Sequence, residues 1–310
     1  MNTADSVLAI LERAGGSYVS GEAIAERLSI SRTAVWKAIQ SLKDAGHGIE
    51  AAAHRGYCLP NGADILSAGA IRAYLPADFS GDIILKETTG STNTDAKALA
   101  VAGAAHGTVI FANEQTAGRG RLGRTFYSPA GSGIYLSIIL KMQCPFADAV
   151  LATSAAAVAV CRTIETFADL RPQIKWVNDI LLDGKKVCGI GCEAVSDFES
   201  GMIESVIVGV GVNFQTESFP EELRDRAGSV FSESAPVSRN RFAAELINRI
   251  LQTGSDMKDR GFIAEYKSRS AVLGRMITYT ERGVTRSARA VDIDDTGGLV
   301  IEGDSGRRTL

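Results

Sequence analysis

Residues 118–124 read Gly-Arg-Gly-Arg-Leu-Gly-Arg, inside the run ANEQTAGRGRLGRTFYSPAGSG. Arginine offers a planar fork that fits phosphate and carboxylate oxygens, and glycine lets backbone N–H groups come close to an oxyanion. Three like charges held together cost free energy unless an anion offsets them. Two anions fit: a nucleic-acid backbone touched by a flexible arm, or a small phosphate-bearing ligand around which the loop orders. The run lacks the Lys-Ser/Thr ending of a P-loop, and it does not open a helix as a dinucleotide fingerprint does. The strand-like runs GTVIFANEQ before it and GIYLSIIL after it anchor both ends. That favours the ordered ligand clamp.

A second constellation is Lys175, Asn178, Asp179 and Lys186, in PQIKWVNDILLDGKKVCGIGCEAV. Asp183-Gly184 between two β-rich runs signals a two-residue hairpin. In the plain reading Asp179 pairs with a lysine and the rest face water. In the chemical reading Asp179 gives hard oxygen contacts to Mg²⁺ while the lysines offset phosphate or carboxylate charge. Further on, GVGVN ends a strand with two glycines and Asn213, which leaves room for a flat ligand against the backbone. The three histidines, His47, His54 and His106, and the lack of a G-x-S-x-G elbow argue against histidine-centred hydrolysis. Together these groups suit a nucleoside triphosphate and an acid.

The elements that must position them alternate. After a linker and short helix at 63–77 come the strand DIILKET, the helix NTDAKALAVAG, the two strands flanking the arginine loop, and a long apolar helix at 148–168. The hairpin follows, then the strand MIESVIVGVGVNF and a helical run after Pro236 and Ser238. Neighbouring antiparallel strands in a mixed sheet with covering helices give the class α+β. From about 270 short alternating runs broken by glycines predict a small C-terminal β-barrel. The expected domains are 1–62, 63–268 and 269–310.

The front module reads as helices. Val7, Leu8, Ile10 and Leu11 lie at helical spacing before Gly15-Gly16; Ala23, Ile24 and Leu28 form one stripe and Val35, Ile39 and Leu42 another, with Ser31 as N-cap between them. The outward face of that last helix carries Arg32, Thr33, Trp36, Lys37 and Gln40, side chains suited to phosphates and base edges. Two short strands at 49–59 would place Arg55 at the tip of a wing, so the module reads as a winged helix-turn-helix; the plainer reading is a small helical bundle whose charged face meets water. Net charge is −3 over 310 residues, so any nucleic-acid contact is local. Five cysteines, an odd number without a C-x-x-C pair, read as reduced thiols and place the chain in the cytoplasm. The start has no basic n-region of a signal peptide, and AVLATSAAAVAVC falls short of the roughly 18 apolar residues of a membrane span.

GSTNTDAK (90–97), ANEQTAGRGRLGRTFYSP (112–129), KWVNDILLDGKKVCGI (175–190) and VGVGVN (208–213) in this order closely resemble biotin protein ligase. The front helix-turn-helix makes the chain similar to the bifunctional form that also represses the biotin operon. The resemblance implies that biotin and ATP give biotinyl-adenylate and pyrophosphate, after which a lysine of a biotin carboxyl carrier protein, an acetyl-CoA carboxylase subunit, takes the biotin. It carries biotin contacts onto Ser91, Thr92, Asn93, Gln115, Arg119, Gly120, Arg121 and Lys186. On the ATP and magnesium side it places Arg121, Arg124, Phe126, Lys175, Asn178, Asp179 and Asn213, with Arg119, Arg121 and Lys186 catalytic. It also implies operator DNA as a partner and a ligand-promoted homodimer. Val177 stands where relatives often have proline, and Phe126 where they often have tryptophan. A biotin-sensing regulator without transfer activity, or a lipoate or other acyl ligase, would share much of this pattern.

Overall fold

The computed structural model describes residues 2–60, 64–196, 201–232, 234–257, 259–281, 283–303 and 306–310. They form two compact units, Met1–Phe79 with Glu233–Glu245, and Ser80–Ser232 with Leu246–Leu310.

The first unit holds α1 (Thr3–Arg13), α2 (Gly21–Leu28), α3 (Arg32–Asp44), β1 (Glu50–Ala52), β2 (Gly56–Cys58) and α4 (Ala68–Tyr74). Polar caps start its first three helices: Asn2 accepts from Asp5 N at 2.8 Å, Ser20 from Ala23 N at 3.0 Å and Ser31 from Ala34 N at 3.1 Å. Each satisfies an otherwise orphaned donor. Ser29, in the left-handed region at φ 53°, closes α2 and makes the tight turn into α3. Val7, Leu8, Leu11, Ile24, Val35, Ile39 and Leu42 are buried together, the stripes that the helical period predicts. In the wing, β1 and β2 pair antiparallel with Ala52 opposite Gly56. Gly56 has φ 102°, and a Cβ there would overlap the Val19 carbonyl, so both the turn and the close approach require glycine.

In the second unit come β3 (Ile83–Thr89), α5 (Thr92–Val101), β4 (Val109–Gln115), β5 (Ile134–Cys144), α6 (Phe146–Phe167), β6 (Gln173–Lys175), β7 (Asp179–Leu182), β8 (Lys185–Ser196) and β9 (Ile203–Val212). The helix α7 (Arg239–Asp256) belongs to the first unit up to Glu245 and to the second from Leu246, and α8 (Phe262–Ser268) follows in the second. The seven strands are ordered β3-β4-β5-β9-β8-β7-β6. Only β3 and β4 are parallel, joined by α5 as a crossover helix, and all other neighbours are antiparallel. Ala96 and Ala100 of α5 pack on Ile110, Ile139 and Ile207. By length and composition, Ala149–Phe167 of α6 could cross a membrane, but 67% of its most apolar window is buried inside the protein. Asp183 at φ 49° and Gly184 at φ 78° make the hairpin turn between β7 and β8, as the sequence predicts.

The last strands are β10 (Met276–Glu281), β11 (Val284–Ile293), β12 (Leu299–Gly303) and β13 (Gly306–Thr309), an antiparallel sheet in simple order. A barrel was expected; among the described residues no ladder joins β13 to β10, so the sheet is open. β13 is four residues long, and its Arg308 reaches β10 by side chain instead, at 2.7 Å from both Glu281 Oε1 and Tyr279 Oη.

Candidate functional site

The arginine loop is held by its backbone. Thr116 N donates to Thr89 O and Ala117 N to Gly90 O, both at 2.9 Å. Beyond them, Phe126 N donates to Gly118 O at 2.8 Å and Gly120 N to Arg124 O at 2.7 Å. The stem is therefore a small closed loop around a single 3-10 turn, Arg121–Gly123. Gly118 is buried, and a Cβ there would stand 2.6 Å from Phe126 O. Arg119, Arg121 and Arg124 are exposed and, among the described residues, none is in an ion pair or a side-chain hydrogen bond. Three uncompensated guanidiniums on an anchored loop make a site for an anion.

Behind the loop runs a chain of buried and half-buried neutral groups that ends on Glu193. Ser128 Oγ donates to Phe126 O at 3.1 Å and accepts from Gln115 Nε2 at 2.9 Å. Gln115 Oε1 accepts from Thr92 N at 2.9 Å. Ser137 Oγ lies 2.8 Å from Thr92 Oγ1 and 2.6 Å from Asn93 Oδ1. Neither amide oxygen can donate, so the serine's one proton goes to Asn93 Oδ1 while Thr92 Oγ1 donates to Gln115 Oε1 at 3.2 Å. Asn93 Nδ2 then donates to Gly191 O and Glu193 Oε1, each at 3.1 Å, and Lys97 stands 3.7 Å from Glu193. Ser91 and Thr92 are 5% and 4% exposed and Ser137 is fully buried. The predicted biotin contacts Thr92, Asn93 and Gln115 are thus bonded to one another and fixed in orientation, with Ser91 as the N-cap residue of α5.

Beside this chain, β8 and β9 put Gly189 opposite Gly211 and Gly191 opposite Gly209. The sequence predicts open space above Gly209 and Gly211. In the structure the chain's own side chains cover both: a Cβ on Gly209 would overlap Asn93, and one on Gly211 would overlap the Phe126 ring. The reason is that the arginine loop folds back through Phe126, whose ring also makes an edge contact with Tyr135, centroids 6.4 Å apart. Lys186 Nζ lies 5.7 Å from the Phe126 ring centre and 2.6 Å from Asp179 Oδ1.

The hairpin residues separate into two roles. Lys175 is exposed, opposite Asp179 in the β6–β7 ladder. Asn178 Nδ2 donates to Ile190 O at 2.7 Å, and buried Asn213 donates to Gly228 O at 2.9 Å and Lys186 O at 3.3 Å. Both amides, expected on the nucleotide, hold backbone: Asn178 ties the hairpin to β8, and Asn213 fastens the segment at 226–230 beside Lys186. Among the described residues no three His, Cys, Asp or Glu side chains converge. A divalent ion at Asp179 would take one protein carboxylate, a donor set that suits Mg²⁺ completed by phosphates and water. All five cysteines are free. Burial pushes the Cys192 thiol up to about 11 and the Cys188 thiol higher still, which makes both poor nucleophiles. His106 is an exposed loop residue whose Nδ1 accepts from Lys141 N at 3.2 Å.

On α3, Arg32, Thr33, Trp36 and Lys37 are exposed, Trp36 to 53%, while Gln40 is half-buried. With β1, β2 and their turn, Arg32, Thr33 and Trp36 line a groove of about 710 Å³. Arg55 is exposed at the wing and stacks on Tyr18, 4.1 Å from the ring centre. The sequence reading missed Ser128, Ser137, Glu193 and the glycine pair of CGIGC. Of these, the alternation of CGIGC with GVGVN was the one visible signal, two glycines at period two in each of two adjacent strands.

Comparison with known proteins bears on all three segments. Residues 85–213 match the Biotin/lipoate A/B protein ligase family, residues 3–58 an HTH domain and residues 272–310 the Biotin protein ligase C terminal domain. The chain is 36% identical over 314 residues to the bifunctional ligase/repressor BirA of Bacillus subtilis, covering 98% of this chain and 95% of that protein. It is 34% identical over 311 residues to the protein of the same name from Bacillus spizizenii, with the same coverage. Among solved structures it is similar to the biotin protein ligase from Aquifex aeolicus in complex with biotin and ATP, at TM-score 0.62 and 25% identity, over 74% of this chain and 94% of that one.

Proposed function

Because the chain belongs to the biotin protein ligase family, in its bifunctional ligase/repressor form, we propose that the arginine loop, Lys186 and the buried polar chain form the adenylation centre and that α3 with the wing reads operator DNA. The protein joins biotin to ATP as biotinyl-5'-adenylate and transfers biotin to a lysine of a carrier domain, and it acts as a DNA-binding repressor. The observation that carries the residue assignment is the set of three exposed guanidiniums without an acidic partner among the described residues, on a loop closed by its own backbone.

In the first step an oxygen of the biotin carboxylate attacks the α-phosphorus of ATP and pyrophosphate leaves. Two anions must meet, and Arg119, Arg121 and Lys186 offset their repulsion more in the crowded transition state than before it. Arg124 and exposed Lys175 serve the outer phosphates, and Phe126 serves the adenine side. Ser91, Thr92, Asn93 and Gln115 seat biotin through the polar capacity that their mutual bonds leave, together with the backbone of Gly120. Asn178 and Asn213 act by fixing the hairpin and the segment beside Lys186. Bound Mg²⁺, held by Asp179, would lower the charge on the nucleotide phosphates. In the second step the carrier lysine attacks the carbonyl carbon and AMP leaves. A loop closed over the mixed anhydride excludes water.

One recognition helix reads half a site, so repression calls for two copies of the chain, and biotinyl-adenylate promotes their pairing. The carrier is the biotin carboxyl carrier protein, and five free thiols accord with a cytoplasmic setting. Pyrophosphate release with biotin and ATP, then transfer of labelled biotin to a carrier domain, tests the reading. Labelled biotin that stays as adenylate and never reaches the carrier would reduce the protein to a sensor. Sedimentation unchanged by ligand, with no gel shift on a biotin-operon promoter, would remove the repressor assignment.

A further inference from the structure

Trp176, Val177 and Asn178 make the turn from β6 into β7, between Lys175 and its ladder partner Asp179. Each is held by a different element. Trp176 Nε1 donates to Gly297 O at 3.0 Å, in the turn between β11 and β12, and Asn178 is fixed to Ile190 of β8 by both its side chain and its backbone. The middle residue is held from α8: Val177 O accepts from Tyr266 Oη at 2.9 Å. Tyr266 is fully buried. Phenylalanine would fill the same space with its ring, and a buried hydroxyl costs free energy unless it is bonded, so the hydroxyl calls for a reason. Burial pushes the phenol well above its ordinary range, which keeps the proton on the oxygen for Val177. Ser154 of α6 hydrogen-bonds the same oxygen; with the phenol proton already committed, the serine is the donor there.

The tyrosine stands on a fixed base. Glu265 beside it accepts from Arg162 of α6 at 3.0 Å and from Arg269 at 2.9 Å. Just past α8, Ile174 N donates to Arg269 O and Ala271 N to Ile174 O, both at 2.8 Å, so the end of the helix is joined to β6, the strand that leads into the turn. What the tie controls lies two residues on. Asp179 Oδ1 takes Lys186 Nζ at 2.6 Å, so the direction in which the turn delivers Asp179 sets where that cation stands. Resting on the ligase reading above, we infer that Tyr266 is a positioning residue for adenylation: by holding the Val177 carbonyl its hydroxyl sets the Asp179 carboxylate, and through it Lys186, without touching a reactant.

Steady-state pyrophosphate release by full-length Tyr266→Phe, Ser154→Ala, Asp179→Asn and the double variant Tyr266→Phe with Asp179→Asn tests this. Tyr266→Phe keeps the ring and loses the tie, so kcat should fall about 10- to 100-fold, the usual cost of a group that orients a site residue, with KM for biotin within about threefold of the parent. Ser154→Ala removes a buried bond to the same oxygen without releasing Val177. It should lower the melting temperature as Tyr266→Phe does and keep the parent kcat. Asp179→Asn should cost at least as much as Tyr266→Phe, and in its background Tyr266→Phe should cost less than about twofold more, because the route is already cut. Equal kcat losses in Tyr266→Phe and Ser154→Ala, a Tyr266→Phe loss as large in the Asp179→Asn background as in the parent, or Asp179→Asn with parent kcat overturns the inference. So does a folded Tyr266→Phe with kcat within about twofold of the parent. Should Tyr266→Phe melt below the assay temperature, the same assays in the cold with saturating biotin, which stabilises the folded form, decide; a chain unfolded even there shows that the hydroxyl serves the fold, and also overturns the inference. A parent enzyme that releases no pyrophosphate with biotin would instead overturn the ligase reading.

Discussion

In the first unit the groups offered to a partner, Arg32, Thr33, Trp36 and Lys37, stand on the exposed face of a capped helix, while ionisable groups lie inside. Asp64 accepts from Arg239 N at 3.0 Å and from its Nε at 3.2 Å. Glu12 Oε1 accepts from Asn240 Nδ2 at 2.6 Å. The second unit reverses this around the ligand site. Its exposed cations hang on a loop, and the groups directly behind them, buried Ser128, Thr92 and Ser137 with half-buried Gln115 and Asn93, are neutral, the first carboxylate being Glu193 at the far end of the chain. A helix face needs only its own core to stay in place, so charge can be spared for internal ties. A loop that must receive an anion cannot have carboxylates among its ties, because they would pair with its arginines first. Neutral amides and hydroxyls fix it without competing.

The contrast breaks most visibly if the loop's cations are dispensable. Arg121→Ala and Lys186→Ala should each lower adenylate formation by about 10³-fold, on the order of 4 kcal/mol of transition-state stabilisation, as other charge-stabilising groups do. Thermal melting should move little, because the Lys186–Asp179 pair is partly exposed. Pyrophosphate release near the parent rate in either variant would return the loop to the nucleic-acid reading.

The internal acids of the first unit give the next largest effect. Burial raises the Glu12 carboxyl from 4.5 to about 7 and raises Asp64 as well. A carboxyl that holds its proton more tightly when folded adds stability below its unfolded pKa, and that stability is lost as pH rises through the folded value. For Glu12 the window is 4.5 to about 7, and the loss is on the order of 3 kcal/mol. Hydrogen exchange of α1 amides, corrected for intrinsic rate, should show protection falling between pH 5 and 7.5. Glu12→Gln, which keeps an acceptor for Asn240, should flatten that slope. A slope unchanged by the substitution would show that Glu12 is not the buried acid responsible.

Smaller effects sharpen the picture. Gly209→Ala forces a Cβ into Asn93, an overpacking that costs about 1–3 kcal/mol, read as a lower melting temperature with weakened biotin binding. Arg32→Ala should weaken operator binding about tenfold, in the range of one lost phosphate or base contact, and leave pyrophosphate release unaltered. A gel-shift titration beside the enzyme assay separates the two sites; loss of both activities together would mean that the variant is unfolded.

Much of this was legible in the chain. Ser31 before a period-3.6 stripe, Asp183-Gly184 between β-rich runs and glycine-spaced arginines between apolar strands are local signals, and local signals fix local structure. Ser137 carried none. It is one serine inside the apolar run GIYLSIIL, and only when β5 pairs with β9, placing it opposite Gly209, does it come under Asn93. Phe126 was visible as an aromatic near the loop, but its position over Gly211 depends on the loop folding back through the Gly118–Phe126 bond. Expected closure of the last sheet failed for a similar reason: alternation predicts strands but not whether the final one reaches the first.

By itself the sequence determined the helices and their caps, the strands and hairpin turns, the class of fold, and the kinds of charge available to each partner, because periodicity, capping and turn chemistry act over a few neighbouring residues. Tertiary structure alone decided which neutral groups lie behind the arginines, which glycines of β8 and β9 are covered, and that two half-buried acids tie the first unit together. Those outcomes depend on strand register and on contacts between residues far apart in the chain, where a shift of one position turns every side chain to the opposite face.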